Sequence, residues 1–106
     1  MASVVIKANE SLSNAIILGD SKIISIVTPS SWTSANLTFQ GANDLDDTFV
    51  DIYDSAGNEI AIVADTDRII TDLPELAGIK YLKVRSGTSS APVVQGGDRL
   101  IKFLSK

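Results

Sequence analysis

The side chains of this chain that could do chemistry are carboxylates and hydroxyls, because its 106 residues include no histidine and no cysteine. Asp65 and Asp67 stand two residues apart. Such a pair suits general acid–base catalysis only in a concave, partly desolvated setting. Here it falls in a predicted hairpin turn, where Asp is favoured for bonding its own backbone. The serines lack a histidine or a Ser-x-x-Lys arrangement to activate them, so the sequence predicts a protein that is not an enzyme.

The acidic loop, residues 44–47, is a second candidate site, with Asp51 and Asp54 nearby. Carboxylate oxygens are ligands for calcium. A calcium loop places them at fixed offsets with a glycine at the sharp turn, as in D-x-D-x-D-G, and this loop lacks that pattern. A solvated hairpin loop is therefore favoured, and we expect no metal and no other cofactor.

Strands must position these side chains. Residues 35–40 alternate apolar and polar without error, and period-2 alternation is typical of half-buried antiparallel strands. Residues 72–78 offer at best one helical turn, with an early proline and a terminal glycine. Turn signals about every 8–12 residues indicate an all-β fold, a sandwich or a barrel, in one domain over residues 1–106. Nine strands are predicted, over residues 3–7, 15–18, 22–28, 35–40, 48–53, 59–64, 68–71, 80–86 and 99–104.

Composition excludes several classes of partner. The formal charge is -4 and the nine Lys and Arg residues are scattered, whereas nucleic-acid binding needs a clustered basic face. No run approaches the roughly 18 apolar residues of a membrane span. Residues 1–7 lack the basic start and longer apolar run of a signal peptide. We therefore expect a soluble protein that binds neither nucleic acid nor membrane and is not exported through a cleaved signal.

Several predicted strands are apolar on both faces, although a two-layer sandwich buries only one face of each sheet. If about four outward aliphatic side chains each bury about 100 Å² of accessible surface against a partner, the gain in binding free energy is roughly 10 kcal/mol at about 25 cal/mol per Å². Association costs of comparable size oppose it. Isolated surface aliphatics are normal on monomers, but we expect an interface, supplemented by pairing of edge strands. Its outward aliphatics are Val5, Ile17, Ile23, Val27, Leu100 and Leu104.

Two further groups are candidate contact residues. Tyr81, Lys83 and Arg85 share one face of their strand, which is either a partly cationic contact surface or a solvated face. Trp32 is the only tryptophan and could stack on a sugar, with Asn36 and Gln40 as polar partners. It could equally plug one end of the sandwich, with its indole N–H bonded to backbone. A carbohydrate-binding module of a fibre or adhesin is therefore the alternative function.

The chain resembles a family of small virion proteins encoded by tailed bacteriophages and prophages. The resemblance rests on three segments, residues 31–40, 48–59 and 82–95, beginning Ser-Trp-Thr-Ser-Ala-Asn-Leu, Thr-Phe-Val-Asp-Ile-Tyr-Asp and Leu-Lys-Val-Arg-Ser-Gly-Thr. Residues 41–47 depart from the Ser-x-Asp-Gly loop that many of these proteins carry. The resemblance implies a jelly-roll-like β-sandwich on the capsid surface of a virion. Such a protein decorates or cements the capsid, often as a homotrimer bound to the major capsid protein; a tail or fibre accessory module is a related possibility.

Overall fold

The computed structural model describes residues 2–44 and 46–106, so Met1 and Leu45, a member of the acidic loop, lie outside the described residues. Pro74–Leu76 forms a single 3-10 turn, where the sequence predicts at most one helical turn. The eight strands are β1 Ala2–Ile6, β2 Ile16–Ile17, β3 Ile23–Val27, β4 Leu37–Ala42, β5 Val50–Asp51, β6 Ile69–Thr71, β7 Tyr81–Ser86 and β8 Arg99–Ser105.

The strands form two antiparallel four-stranded sheets. The first sheet has the order β1-β8-β3-β6 and the second the order β2-β7-β4-β5. Pairing therefore joins the first strand with the last, the second with the next to last, and so on inward to β4 with β5. The predicted all-β antiparallel sandwich is confirmed.

Residues 59–64 do not form the strand predicted for them, the sixth of the nine, and that prediction is wrong. The segment makes only isolated bridges, Glu59 with Tyr53 and Ile62 with Leu37. The N–H of Ile60 donates to the carbonyl of Ile52, whereas Ile62 exchanges both backbone bonds with Leu37. Because the segment crosses from the end of β5 to the start of β4, it changes partner before a ladder can extend.

The core lies between the two inner faces. Trp32 closes one end of it, with only 3% of its surface exposed, and its indole N–H donates to the carbonyl of Ala35 at 3.1 Å. This is the end plug that the sequence allowed, and the ring is not available to stack on a sugar. The first sheet contributes Val4, Ile6, Ile26, Ile101 and Phe103 to the core, and the second contributes Ile16, Leu37, Phe39, Leu82 and Val84.

A bulge in β3 reverses the side-chain alternation. Ile23 lies opposite Ser105 and Ser25 lies opposite Leu104, so Ile24 is an extra residue in the ladder. The extra residue turns Ile23 into the core, where it is 2% exposed. The expectation that Ile23 faces outward is therefore wrong. Val27, beyond the bulge, pairs with Lys102 on the outer face as expected.

Gly87 is a position where a side chain cannot fit. Its φ is +87°, and a Cβ there would lie 2.6 Å from the carbonyl oxygen of Ala91 and 2.7 Å from the nitrogen of Val93. We expect Gly87→Ala to lower the free energy of unfolding by about 2–4 kcal/mol, from backbone strain together with the clash. Urea denaturation measures this loss.

Gly19→Ala is the matched control, because Gly19 has a φ of +61° but no atom lies within 4 Å of the point that a Cβ would occupy. At Gly19 only the backbone strain applies, so we expect Gly19→Ala to lower the free energy of unfolding by about 1 kcal/mol. Equal losses in the two variants would contradict the packing argument at Gly87.

Candidate functional site

Five aliphatic side chains share the outer face of the first sheet. Val5 lies opposite Leu100, Ile69 lies opposite Val27, and Leu104 lies opposite Ser25. Directly opposed residues of an antiparallel pair project from the same face. Lys102, opposite Val27, stands among them. This surface, called the apolar face below, consists of Val5, Val27, Ile69, Leu100 and Leu104 with Lys102.

The apolar face is uncovered in the part of the chain that the structure describes. Leu100 and Leu104 are 44% and 45% exposed and Ile69 is 71% exposed, while Val5 and Val27 are half-buried. The outward strand positions include no carboxylate, and Lys102 makes none of the ion pairs found among residues 2–44 and 46–106. The face therefore combines aliphatic surface with one unneutralised positive charge in a chain of net charge -4.

The outer side of the second sheet is covered around Arg85 by the chain's own segment. Arg85 is buried and binds two carboxylates from the segment after β4: it forms a short ion pair with Asp51 and one of 3.2 Å with Glu59. The Arg85 guanidinium also donates to the Thr38 hydroxyl at 3.4 Å. The expectation that Arg85 lies on an open contact surface is therefore wrong, because these two carboxylates neutralise it.

The rest of the predicted stripe is also closed off in part. Tyr81 and Lys83 are half-buried, and the Lys83 ammonium lies 4.6 Å from the centroid of the Phe49 ring, within the range of a cation–π contact. Of the stripe, only Tyr81 and Lys83 are therefore partly accessible. Ile17, which was expected to face outward, is exposed beside Tyr81.

The three predicted sugar ligands do not form one site. Trp32 is in the core, Asn36 is exposed, and Gln40 on β4 is half-buried. The Gln40 amide donates to the carboxylate of Asp51 at 3.3 Å. Because Trp32, the ring expected to stack on a sugar, is buried away from these amides, the predicted arrangement gives no platform for a sugar.

The candidate acidic residues are engaged in turns. The Asp65 carboxylate accepts the N–H of Thr66 at 2.8 Å, and Asp67 adopts a φ of +54°. The Asp54 carboxylate accepts the N–H groups of Ala56 and Asn58, each at 2.9 Å. Across residues 2–44 and 46–106, no three carboxylates converge to hold a metal ion. Asp65, Asp67 and Asp54 thus take part in turns, as their residue type favours.

Compared with protein-family models, curated proteins and solved structures, the chain gives no match. The resemblance to virion proteins of tailed bacteriophages therefore stays a prediction. Within the described residues, no helix has the length and apolar character that crossing a membrane requires.

Sequence reasoning missed two members of the apolar face, Ile69 and Lys102. The signal for Ile69 was present, because Ile69 and Ile70 are consecutive apolar residues in a predicted strand and must point to opposite faces. Lys102 follows from its place between Leu100 and Leu104 on one face of β8. The ion-pair partners of Arg85 could not be predicted in this way, since Asp51 and Glu59 are distant from it in sequence.

Arg85 is expected to be important for stability. Removing one partner of a buried ion pair costs about 3–5 kcal/mol. Because the Asp51 side chain is 28% exposed, water screens part of this loss. We therefore expect Arg85→Met to lower the free energy of unfolding by about 2 kcal/mol. Chemical denaturation measures it. Arg68→Met is the control, since Arg68 pairs with Asp65 at 3.9 Å on the surface and should cost about 0–1 kcal/mol. A loss at Arg85 no larger than that at Arg68 would contradict the assigned role.

Asp51 should make stability depend on acid pH. The hydrogen bond from Arg85 holds the pKa of Asp51 below its usual 3.8, against the opposing effect of burial and with help from Gln40. A carboxyl with a lowered folded pKa stabilises the fold above its unfolded pKa, and this contribution is lost as the pH falls through the folded pKa. The difference in unfolding free energy between the wild type and Asp51→Asn should therefore shrink from about pH 5 to about pH 2.

Denaturant titrations at several pH values measure that difference. Asp20→Asn, at an exposed turn carboxylate, controls for the change in net charge. A difference between wild type and Asp51→Asn that stays constant over the whole range would refute the linkage.

Proposed function

We propose that this chain is a non-enzymatic structural protein that works by assembly, and specifically a capsid decoration or cement protein of a virion. The observation that carries the proposal is the uncovered apolar face of the first sheet. Its three most exposed aliphatic members are Leu100 and Leu104 on β8 and Ile69 on β6, with β3 and Val27 between the two strands. Contiguous exposed aliphatic surface on a small protein marks a contact site.

The size of the apolar face favours a weak contact that is repeated many times. Complete burial of a leucine or isoleucine is worth about 1.5–3 kcal/mol. Covering side chains that are already about half-buried therefore gains roughly 1 kcal/mol each, or roughly 5 kcal/mol for the whole face. Association costs about 4–15 kcal/mol, so a single contact of this kind is marginal. Copies held on an ordered lattice gain avidity without any new contact, which suits a protein bound to a capsid shell.

The strand order supports the virion assignment. We infer that pairing of the first strand with the last, and so on inward, across two four-stranded sheets makes this sandwich a jelly roll, an architecture found in viral capsid proteins. The resemblance of residues 31–40, 48–59 and 82–95 to virion proteins of tailed bacteriophages points the same way. We infer a homo-oligomer, with a trimer favoured, that binds the major capsid protein or another virion component.

Self-association through the apolar face is directly testable. We expect the wild-type protein to show concentration-dependent oligomers in light scattering, and Leu104→Glu to shift it to monomer, because a carboxylate would have to be buried without a partner. Val94→Glu is the control, since Val94 is 58% exposed but lies outside the apolar face. Circular dichroism confirms that each variant is folded.

The capsid assignment needs a second readout. Shells assembled from the major capsid protein of the same virion should co-sediment with the wild type and with Val94→Glu, and much less with Leu104→Glu. A wild type that stays monomeric at all concentrations and does not sediment with capsids would overturn the proposal.

A further inference from the structure

A second surface of the same chain complements the apolar face. A recess of about 520 Å³ lies at the edge of the second sheet, where β5 is the last strand. Val50, Ile52 and Ile79 form the apolar part of its lining, and Asn43, Asp47 and Thr48 form the polar part, with Asp47 as its charged member. This surface is called the edge recess below.

The edge recess exists because residue 41 has no side chain. A Cβ on Gly41 would lie 3.0 Å from Ile79 Cγ2 and 3.1 Å from Ile52 Cδ1. The two isoleucines therefore close over the strand and form an apolar floor. Val50 is exposed beside them. Concave apolar walls with a few polar groups are typical of binding sites.

The charges of the two surfaces are opposite. Lys102 stands within the apolar face, and Asp47 stands in the lining of the edge recess; neither makes an ion pair among residues 2–44 and 46–106. If two apolar faces met around a two-fold axis, neither lysine would find a carboxylate on the outward strand positions of the other face. An aliphatic surface with a cation suits an apolar recess with an anion instead.

We propose that copies of this chain associate head to tail, with the apolar face of one copy packed on the edge recess of the next. This inference rests on the proposed self-association and assigns its geometry. The face and the recess lie on different sides of the molecule, one on the outer face of the first sheet and the other at an edge of the second. A contact between two different patches is heterologous, and it closes into a ring when the rotation between copies completes a circle.

Mixing of two defective variants tests the geometry. The face variant carries Leu100→Lys and Leu104→Lys and keeps the edge recess intact; the recess variant carries Asp47→Lys and Val50→Lys and keeps the apolar face intact. Each variant alone should be monomeric in light scattering. Their mixture should form a complex of one chain of each, because one intact face can still meet one intact recess. A third chain cannot add, since the two remaining surfaces are both cationic and repel each other.

A charge exchange gives an independent readout without loss of aliphatic surface. We expect Lys102→Glu and Asp47→Lys each to weaken self-association at least about tenfold, because each places like charges in contact. The chain with both changes restores an opposite-charge pair and should recover most of the loss. Asp20→Lys is the control for net charge, since Asp20 lies at an exposed turn outside both surfaces.

The outcomes separate this inference from the proposed function. If the recess variant associates like the wild type while the face variant does not, the contact is not head to tail, and the proposed function remains. If both are monomeric but the mixture does not associate and the charge exchange does not recover, the head-to-tail contact is likewise excluded. A wild type that never self-associates removes the head-to-tail contact, and the proposed function falls with it only if the wild type also fails to sediment with capsids.

Discussion

The buried ion cluster around Arg85 decides which surface of the molecule is open. Asp51 and Glu59 come from the segment that follows β4, and both bind the guanidinium from above the second sheet. Burying an arginine without such partners is very costly, so the segment must fold back over that sheet. Thr38 is fully buried beneath it. The first sheet has no equivalent segment among the described residues, and its outer aliphatics are left for another molecule to cover.

The same asymmetry limits how the molecule can associate. An edge strand with free N–H and C=O groups is a template for uncontrolled pairing. At β1 this edge is closed, because the N–H of Val5 donates to the Asn14 side chain and its carbonyl accepts the Asn14 N–H. At the other edge of the first sheet, β6 is three residues long and is followed by Asp72 at a φ of +64°, which ends the strand. These features limit the expected pairing of edge strands at β1 and β6, so the proposed assembly uses the side chains of the apolar face instead.

The fold could be predicted from the sequence because period-2 alternation and turn residues are local signals. Residues 35–40 and 80–86 show them, and both lie where strands form. Three features depend on contacts between distant residues and could not be predicted. The bulge at Ile24 is fixed by register with β8, the bridges of residues 59–64 are fixed by two different partners, and the burial of Arg85 is fixed by Asp51 and Glu59. Alternation along a strand shows that the strand has two different faces, but it does not show which face another segment of the same chain covers.

Lys102 explains how an exposed aliphatic surface can stay selective. A purely aliphatic face would gain from contact with any apolar surface, whereas a lysine in its midst makes each such contact desolvate a charge. Only a partner with a carboxylate placed opposite recovers that loss, so wrong contacts are weakened more than the right one. In the proposed assembly the small aliphatic area keeps the right contact weak as well, so that incorrect arrangements would dissociate before a lattice is complete. The selectivity and the reversibility of the proposed contact thus follow from the single charge of Lys102 and the small exposed area of the aliphatic side chains around it.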